Sequence, residues 1–121
     1  GTAEIYRVVE QLPQVVESCV FGQNWENDVR IVLLVRLASG IELTDALVAD
    51  IKQRIRVACT PRHVPALVVA VDDLPRTRSN KLVELALADA VNGRPVRNAE
   101  ALANPECIER IVANPLLRRS G

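Results

Sequence analysis

Between Val29 and Leu37 the chain alternates so regularly that one conformation satisfies it, an extended strand. Val29, Ile31, Leu33, Val35 and Leu37 fall on one face at period two. The other set, Arg30, Val32, Leu34 and Arg36, is only half polar. A strand with such a face must be covered, and the spacing of the flanking apolar residues supplies helices for the purpose. Val15 to Phe21 reads as a second strand, weakened by Glu17 and Ser18. A polar turn, Gly22 to Asp28, joins the two as an antiparallel hairpin, with Trp25 as its lid. A third strand, Ala66 to Val71, follows the stiff connector Thr60-Pro61-Arg62-His63-Val64-Pro65.

Helical stripes fill the rest. Thr2 caps a first helix, Ile5, Val8, Val9 and Leu12 make its apolar face, and Pro13 stops it. Thr44 caps a second, with Leu43 and Val48 placed as a hydrophobic staple and Leu47, Ile51, Ile55 and Ala58 as the buried stripe. Lys52, Arg54 and Arg56 crowd its last turns, where cations suit the helix dipole. By sequence alone Arg56 is a solvated helix-end cation. Leu82 to Val91 predicts a third helix, with Val83, Leu87, Ala90 and Val91 inward and Asn92-Gly93 closing it. Arg94 to Asn98 is a linker, and Asn98 and Asn104-Pro105-Glu106 are two further helix starts. Ile108, Ile111 and Val112 form the packed side of the last helix, Asn114-Pro115 ends it, and residues 116–121 read as a frayed tail. The expected architecture is α+β, a small three-stranded sheet packed with helices plus a helical C-terminal extension.

Composition narrows the function. The chain has 121 residues, enough for one domain with a real core, and 49% are hydrophobic. Fifteen basic residues balance fifteen acidic ones, so no general attraction draws it to nucleic acid or an anionic membrane. Aromatics are only 2%, which leaves no base-stacking platform. Cys19, Cys59 and Cys107 are far apart and His63 is the sole histidine, so no zinc spacing is recognisable. His63 has no acid, nucleophile or second histidine near it in sequence and reads as structural. Reduced thiols fit a cytoplasmic protein, and no signal peptide or membrane span is visible. The start at Gly1, without methionine and running straight into a helix, suggests part of a longer chain.

The stretch Leu74-Pro75-Arg76-Thr77-Arg78-Ser79-Asn80-Lys81 interrupts these apolar runs. Proline, hydroxyls, asparagine and cations make it a polar finger outside the core, between a strand and a helix. Lys81 is the reactive candidate, because an ammonium on a long stem can leave its own domain and meet developing negative charge. The plainer reading is a basic loop in which Ser79 or Asn80 caps the next helix.

This loop resembles the C-terminal lysine motif of the adenylate-forming acyl-CoA synthetases, usually Pro-Lys/Arg-Thr-x-Ser-Gly-Lys. Pro75, Arg76, Thr77, Arg78, Ser79 and Asn80 occupy its loop positions and Lys81 matches the final lysine. The resemblance implies that Lys81 enters the active site of a large N-terminal domain. There it contacts the carboxylate and α-phosphate while an acyl-adenylate forms. Asn80 stands where the family has glycine, a residue suggesting φ > 0, which asparagine tolerates well. Gly1-Thr2-Ala3-Glu4-Ile5 is similar to the end of the family's hinge loop. Arg56 is similar by position to an arginine that meets the phosphates of coenzyme A. The stretch Asn92 to Glu106, with Pro61-Arg62-His63-Val64-Pro65, resembles the acetoacetyl-CoA synthetase branch and its C-terminal extension.

The resemblance implies a lid domain over residues 1–92 and a helical extension, 93–121, packed on it. It also implies a ligase joining acetoacetate to coenzyme A at the expense of ATP, with Mg²⁺. The isolated piece is expected to be inactive without its N-terminal domain. The family's motif lysine is a target of regulatory acylation, so a lysine acetyltransferase and deacetylase acting on Lys81 are implied partners. The competing reading is a free-standing α+β interaction module whose lysine loop docks a partner protein. A large upstream domain with a phosphate-binding loop is what separates the two.

Overall fold

The computed structural model describes residues 2–117. In chain order its main elements are α1 (Thr2–Val9), β1 (Val15–Trp25), β2 (Asp28–Leu37), α2 (Asp45–Ala58), β3 (Leu67–Ala70), α3 (Glu84–Val91) and α4 (Glu106–Val112). The strands form one sheet in the order β1-β2-β3. The β1–β2 pair is the antiparallel hairpin read from sequence, whereas β2 and β3 are parallel because α2 carries the chain back across the sheet. This is the expected α+β fold.

Both faces of the sheet are buried. Val20, Leu33, Val35 and Val68 pack on one side against Ile5 and Val9 of α1 and Leu47, Ile51 and Ile55 of α2. Cys19, Phe21, Val32, Leu34 and Val69 pack on the other against Ala86, Leu87 and Val91 of α3 and Cys107, Ile108 and Ile111 of α4. This resolves the half-polar face of β2. Val32 and Leu34 lie under the helices, while the arginines flank them. Arg36 pairs with Glu17 at 2.7 Å. Arg30 bonds Gln23 at 2.9 Å and stacks over Trp25, 3.6 Å from the ring centre. Trp25 therefore supports a cation at the hairpin tip rather than lidding the hairpin.

Several boundaries differ from expectation. β1 does not stop at Phe21 but runs to Trp25, and the turn shrinks to Glu26 and Asn27, with φ of 49° and 64°. Two positive φ values are what a tight hairpin turn demands. Gln23 is tolerated inside because its amide donates to the Leu117 carbonyl at 2.9 Å and accepts from Arg30. Gly22 is a strand residue, not a turn residue: a Cβ there would meet Val29 Cγ1 at 2.8 Å. Thr44 caps α2 as predicted, its hydroxyl accepting from the Leu47 N–H at 3.1 Å, but Ala58 is exposed rather than part of the stripe. Thr2 is already helical in α1, so the helix begins one residue sooner than a cap at Thr2 requires.

α3 begins at Glu84, two residues later than expected, with no side-chain cap, so neither Ser79 nor Asn80 caps it. It ends as predicted at Asn92, with Gly93 at φ 75°. The Asn92 amide also lines the free edge of β1, accepting from Asn24 N–H at 2.7 Å and donating to the Gly22 carbonyl at 3.0 Å. Asn98 starts only a 3₁₀ turn, Ala99–Ala101. In α4 Val112 faces solvent and Cys107 takes its place inside. Pro115–Leu117 is a 3₁₀ turn with Leu117 buried, so this part of the tail is packed rather than frayed. The remainder of the predicted tail, 118–121, and Gly1 of the hinge resemblance lie outside the described residues.

Candidate functional site

The lysine loop is a small hairpin. Arg76 and Leu82 face each other as an antiparallel bridge. Thr77 N–H donates to the Lys81 carbonyl and Asn80 N–H to the Thr77 carbonyl, both at 2.9 Å. The Thr77 hydroxyl accepts from Lys81 N–H at 3.2 Å and pairs with the Ser79 hydroxyl at 3.0 Å. Asn80 has φ 66°, the left-handed conformation expected at the motif's glycine position. Lys81 follows it, exposed, and its ammonium forms no hydrogen bond or ion pair with the described residues. The cation is thus held by its backbone and left free at its charged end.

The base of this loop, unlike its tip, is core. Leu74 is fully buried among Val69, Leu87 and the α4 side chains, and Pro75 is buried beside it. The expectation of a wholly polar finger therefore holds only from residue 76 onward. Arg76 is spent on the fold, since its guanidinium pairs with Glu17 of β1, the carboxylate that also takes Arg36. Arg78 donates to the Glu100 carbonyl at 2.9 Å.

The C-terminal residues strap this hairpin down. Thr77 bridges to Leu102, and Ala103 N–H donates to the Arg76 carbonyl at 2.8 Å. The Asn104 amide accepts from Arg76 N–H at 2.9 Å and donates to the Leu74 carbonyl at 2.8 Å and to Asp73 at 2.9 Å. Sequence reading took Asn104 only as a helix start. It also passed over Asp89, a carboxylate on the inner side of α3, 2% exposed. Asp89 pairs with Arg97 at 2.9 Å and Arg94 at 3.2 Å, joining the extension to α3. Hydrogen bonds from Arg97 above all hold its carboxyl well below the usual carboxylate range, against the effect of burial.

Several polar groups away from the loop hold parts of the fold together. The Tyr6 hydroxyl donates to Glu84 and accepts from Val20 N–H at 2.9 Å, and burial raises its pKa. The three cysteines are free thiols. Burial pushes Cys19 up to about 12 and Cys107 up to about 11, so neither is a ready nucleophile. His63 pairs with the Thr60 hydroxyl at 2.8 Å within its own turn. Arg56 lies exposed in the last turn of α2, which covers the opposite face of the sheet from α3 and α4. Lys81 and Arg56 are thus carried by different layers. Among the described residues no group of three or more His, Cys, Asp or Glu side chains is placed to hold a metal ion, and no helix is long and apolar enough to cross a membrane.

The three-stranded sheet between helix pairs, with an exposed lysine at the end of a short hairpin, matches the C-terminal domain of adenylate-forming enzymes. The model of the AMP-binding enzyme C-terminal domain matches residues 4–81, and this chain belongs to that family. Within it, the chain is 62% identical over 109 residues to acetoacetyl-coenzyme A synthetase of Rhizobium meliloti (strain 1021), covering 90% of this chain and 17% of that protein. It is 41% identical over 114 residues to acetoacetyl-CoA synthetase of Caenorhabditis elegans, covering 93% and 16%. The solved structure of acetoacetyl-CoA synthetase from Streptomyces lividans matches with a TM-score of 0.80 at 36% identity, over 91% of this chain and 17% of that one. An acyl-CoA synthetase of Brucella canis shares the fold, with a TM-score of 0.68 at 24% identity over 74% of this chain and 17% of that one. The chain spans about 17% of the length of the relatives it matches.

Proposed function

We propose that this chain is the C-terminal domain of a cytoplasmic acetoacetate–CoA ligase, with residues 1–92 as the moving lid and 93–121 as an extension packed on it. The observation that carries the reading is the hairpin itself, which holds Lys81 by its backbone and leaves its ammonium without a partner among the described residues. High identity to acetoacetyl-CoA synthetases across 90% of the chain supports acetoacetate as the acid.

The reaction runs in two displacements. A carboxylate oxygen of acetoacetate attacks the α-phosphorus of ATP, and pyrophosphate leaves. The thiolate of coenzyme A then attacks the acyl carbon, and AMP leaves. Lys81, docked into the N-terminal domain, places its charge between carboxylate and α-phosphate during the first step. Thr77, Ser79 and Asn80 shape the turn that delivers it, and Pro75, Arg76 and Arg78 anchor that turn. Mg²⁺ would act with the ATP phosphates in the full-length enzyme; among the described residues no group of three or more His, Cys, Asp or Glu side chains is placed to hold it.

Arg56 serves the second step from the other layer, gripping the phosphates of coenzyme A. Arg56→Ala in the full-length enzyme should raise KM for coenzyme A roughly tenfold or more, with little change for ATP, since a charge-assisted contact is worth ~1.5–3 kcal/mol. An unchanged KM would leave Arg56 as a helix-end cation.

The reading as a whole is tested by exchange of pyrophosphate into ATP by the full-length protein. Exchange should depend on acetoacetate, and acetylation of Lys81 by a lysine acetyltransferase should abolish it by removing the ammonium charge. A deacetylase should restore it. Full exchange at stoichiometric acetylation, or exchange with acetate but not acetoacetate, would contradict the proposal.

A further inference from the structure

We propose that Asn104 is a positioning residue for adenylation, acting on Lys81 through the strand that opposes it; the inference rests on the role assigned to Lys81. The family match ends at Lys81, so residues 102–104, which strap the hairpin, lie outside the matched region.

The argument follows the hydrogen bonds. Both N–H bonds of the Asn104 amide are used, one on the Leu74 carbonyl and one on Asp73, and its oxygen accepts from Arg76 N–H. The neighbouring Ala103 N–H takes the Arg76 carbonyl. The main-chain polar groups of Arg76 are therefore both held by residues 103 and 104. Arg76 in turn faces Leu82, and Thr77 N–H holds the Lys81 carbonyl. Arg76 and Thr77 are the strand on which the lysine's own strand is registered. The base of the hairpin is fixed independently by the buried Leu74. What Asn104 adds is a hold on the first strand, at Asp73, Leu74 and Arg76, so that an error there passes across the pairing to Lys81. Polar groups so placed act by geometry, and a shift of about 1 Å in a reacting group costs on the order of 100-fold in rate.

The test uses the full-length enzyme and both half-reactions. Asn104→Ala should lower kcat for acetoacetate-dependent ATP–pyrophosphate exchange tenfold to a hundredfold, by roughly the sensitivity just given. KM for ATP should stay within about twofold, because ATP binding does not need the lysine's register. Thioester formation from preformed acetoacetyl-adenylate and coenzyme A should proceed at the rate of the unsubstituted enzyme. Asn104→Asp keeps the acceptor for Arg76 N–H but sets an oxygen against Asp73 and the Leu74 carbonyl, so it should be no better than alanine. In a Lys81→Ala background, Asn104→Ala should cause no further loss, because the group through which it acts is gone. Equal loss in both half-reactions, additive loss on top of Lys81→Ala, or undiminished exchange by either Asn104 variant would overturn the proposal. If Lys81→Ala by itself leaves exchange intact, the lysine assignment falls first, which distinguishes the two failures.

Discussion

Replacing Lys81 by alanine in the full-length enzyme is expected to lower adenylation of acetoacetate by about two to three orders of magnitude, the effect of losing one preorganised electrostatic donor. During the attack on phosphorus, negative charge gathers between the carboxylate and the α-phosphate. An ammonium held there stabilises the transition state more than the ground state. The hairpin supplies the preorganisation, since Asn80 at φ 66° and the Thr77 bonds fix the backbone before any substrate arrives. Thioester formation from preformed acetoacetyl-adenylate should continue near the rate of the unsubstituted enzyme, because Lys81 and Arg56 sit on opposite layers of the domain. Lys81→Arg should remain poor: it keeps the charge, but a planar fork does not fit a point-charge site. Pyrophosphate exchange and a single-turnover thioester assay measure the two steps separately. Normal exchange by Lys81→Ala would end the catalytic assignment.

Leu34→Ala is expected to destabilise the domain by about 2–5 kcal/mol, a large share of the roughly 5–15 kcal/mol by which domains of this size are stable. Leu34 lies on the central strand with no exposed surface, under the layer formed by α3 and α4. Its loss leaves a cavity that the paired strands on either side cannot close. Leu33→Ala should cost a similar amount, because Leu33 is just as buried on the other face. Val57→Ala is the control. Val57 is 75% exposed on α2, and its substitution should change stability by no more than about 0.5 kcal/mol. Urea unfolding of each variant gives the comparison. A small effect at Leu34 together with a large one at Leu33 would mean that the α3–α4 layer contributes little to the core.

Most of the elements were legible because their causes are local. The Thr44 cap, the Asn92-Gly93 stop and the positive φ at Asn80 follow from short-range sterics and hydrogen bonds, which the residue type alone expresses. The inner faces of α1 and α2 followed from spacing, except at Leu12, which is buried beyond the end of α1 at Val9, and at Ala58, where the stripe ran past the end of the surface it covers. The turn of the lysine loop is likewise closed by contiguous residues, but its reading as a lysine motif came from the family resemblance, since its chemistry alone fits a basic loop equally well.

The remaining features depend on partners distant in sequence. Arg30 and Arg36 made one face of β2 look half exposed, yet helices bury it between them, because each arginine has its own partner on β1. The loop read as continuous polar chain, but Leu74 belongs to the core, a placement decided by α3 and α4 closing over it. Asn104 and Arg76 are 28 residues apart, and no local rule pairs them. Asp89 gave no signal on an apolar helix until Arg94 and Arg97 folded back to it. Backbone preference acts over a few residues and is written in their order. Which buried polar group meets which is settled only when the layers pack, since an unpaired group inside costs too much to remain.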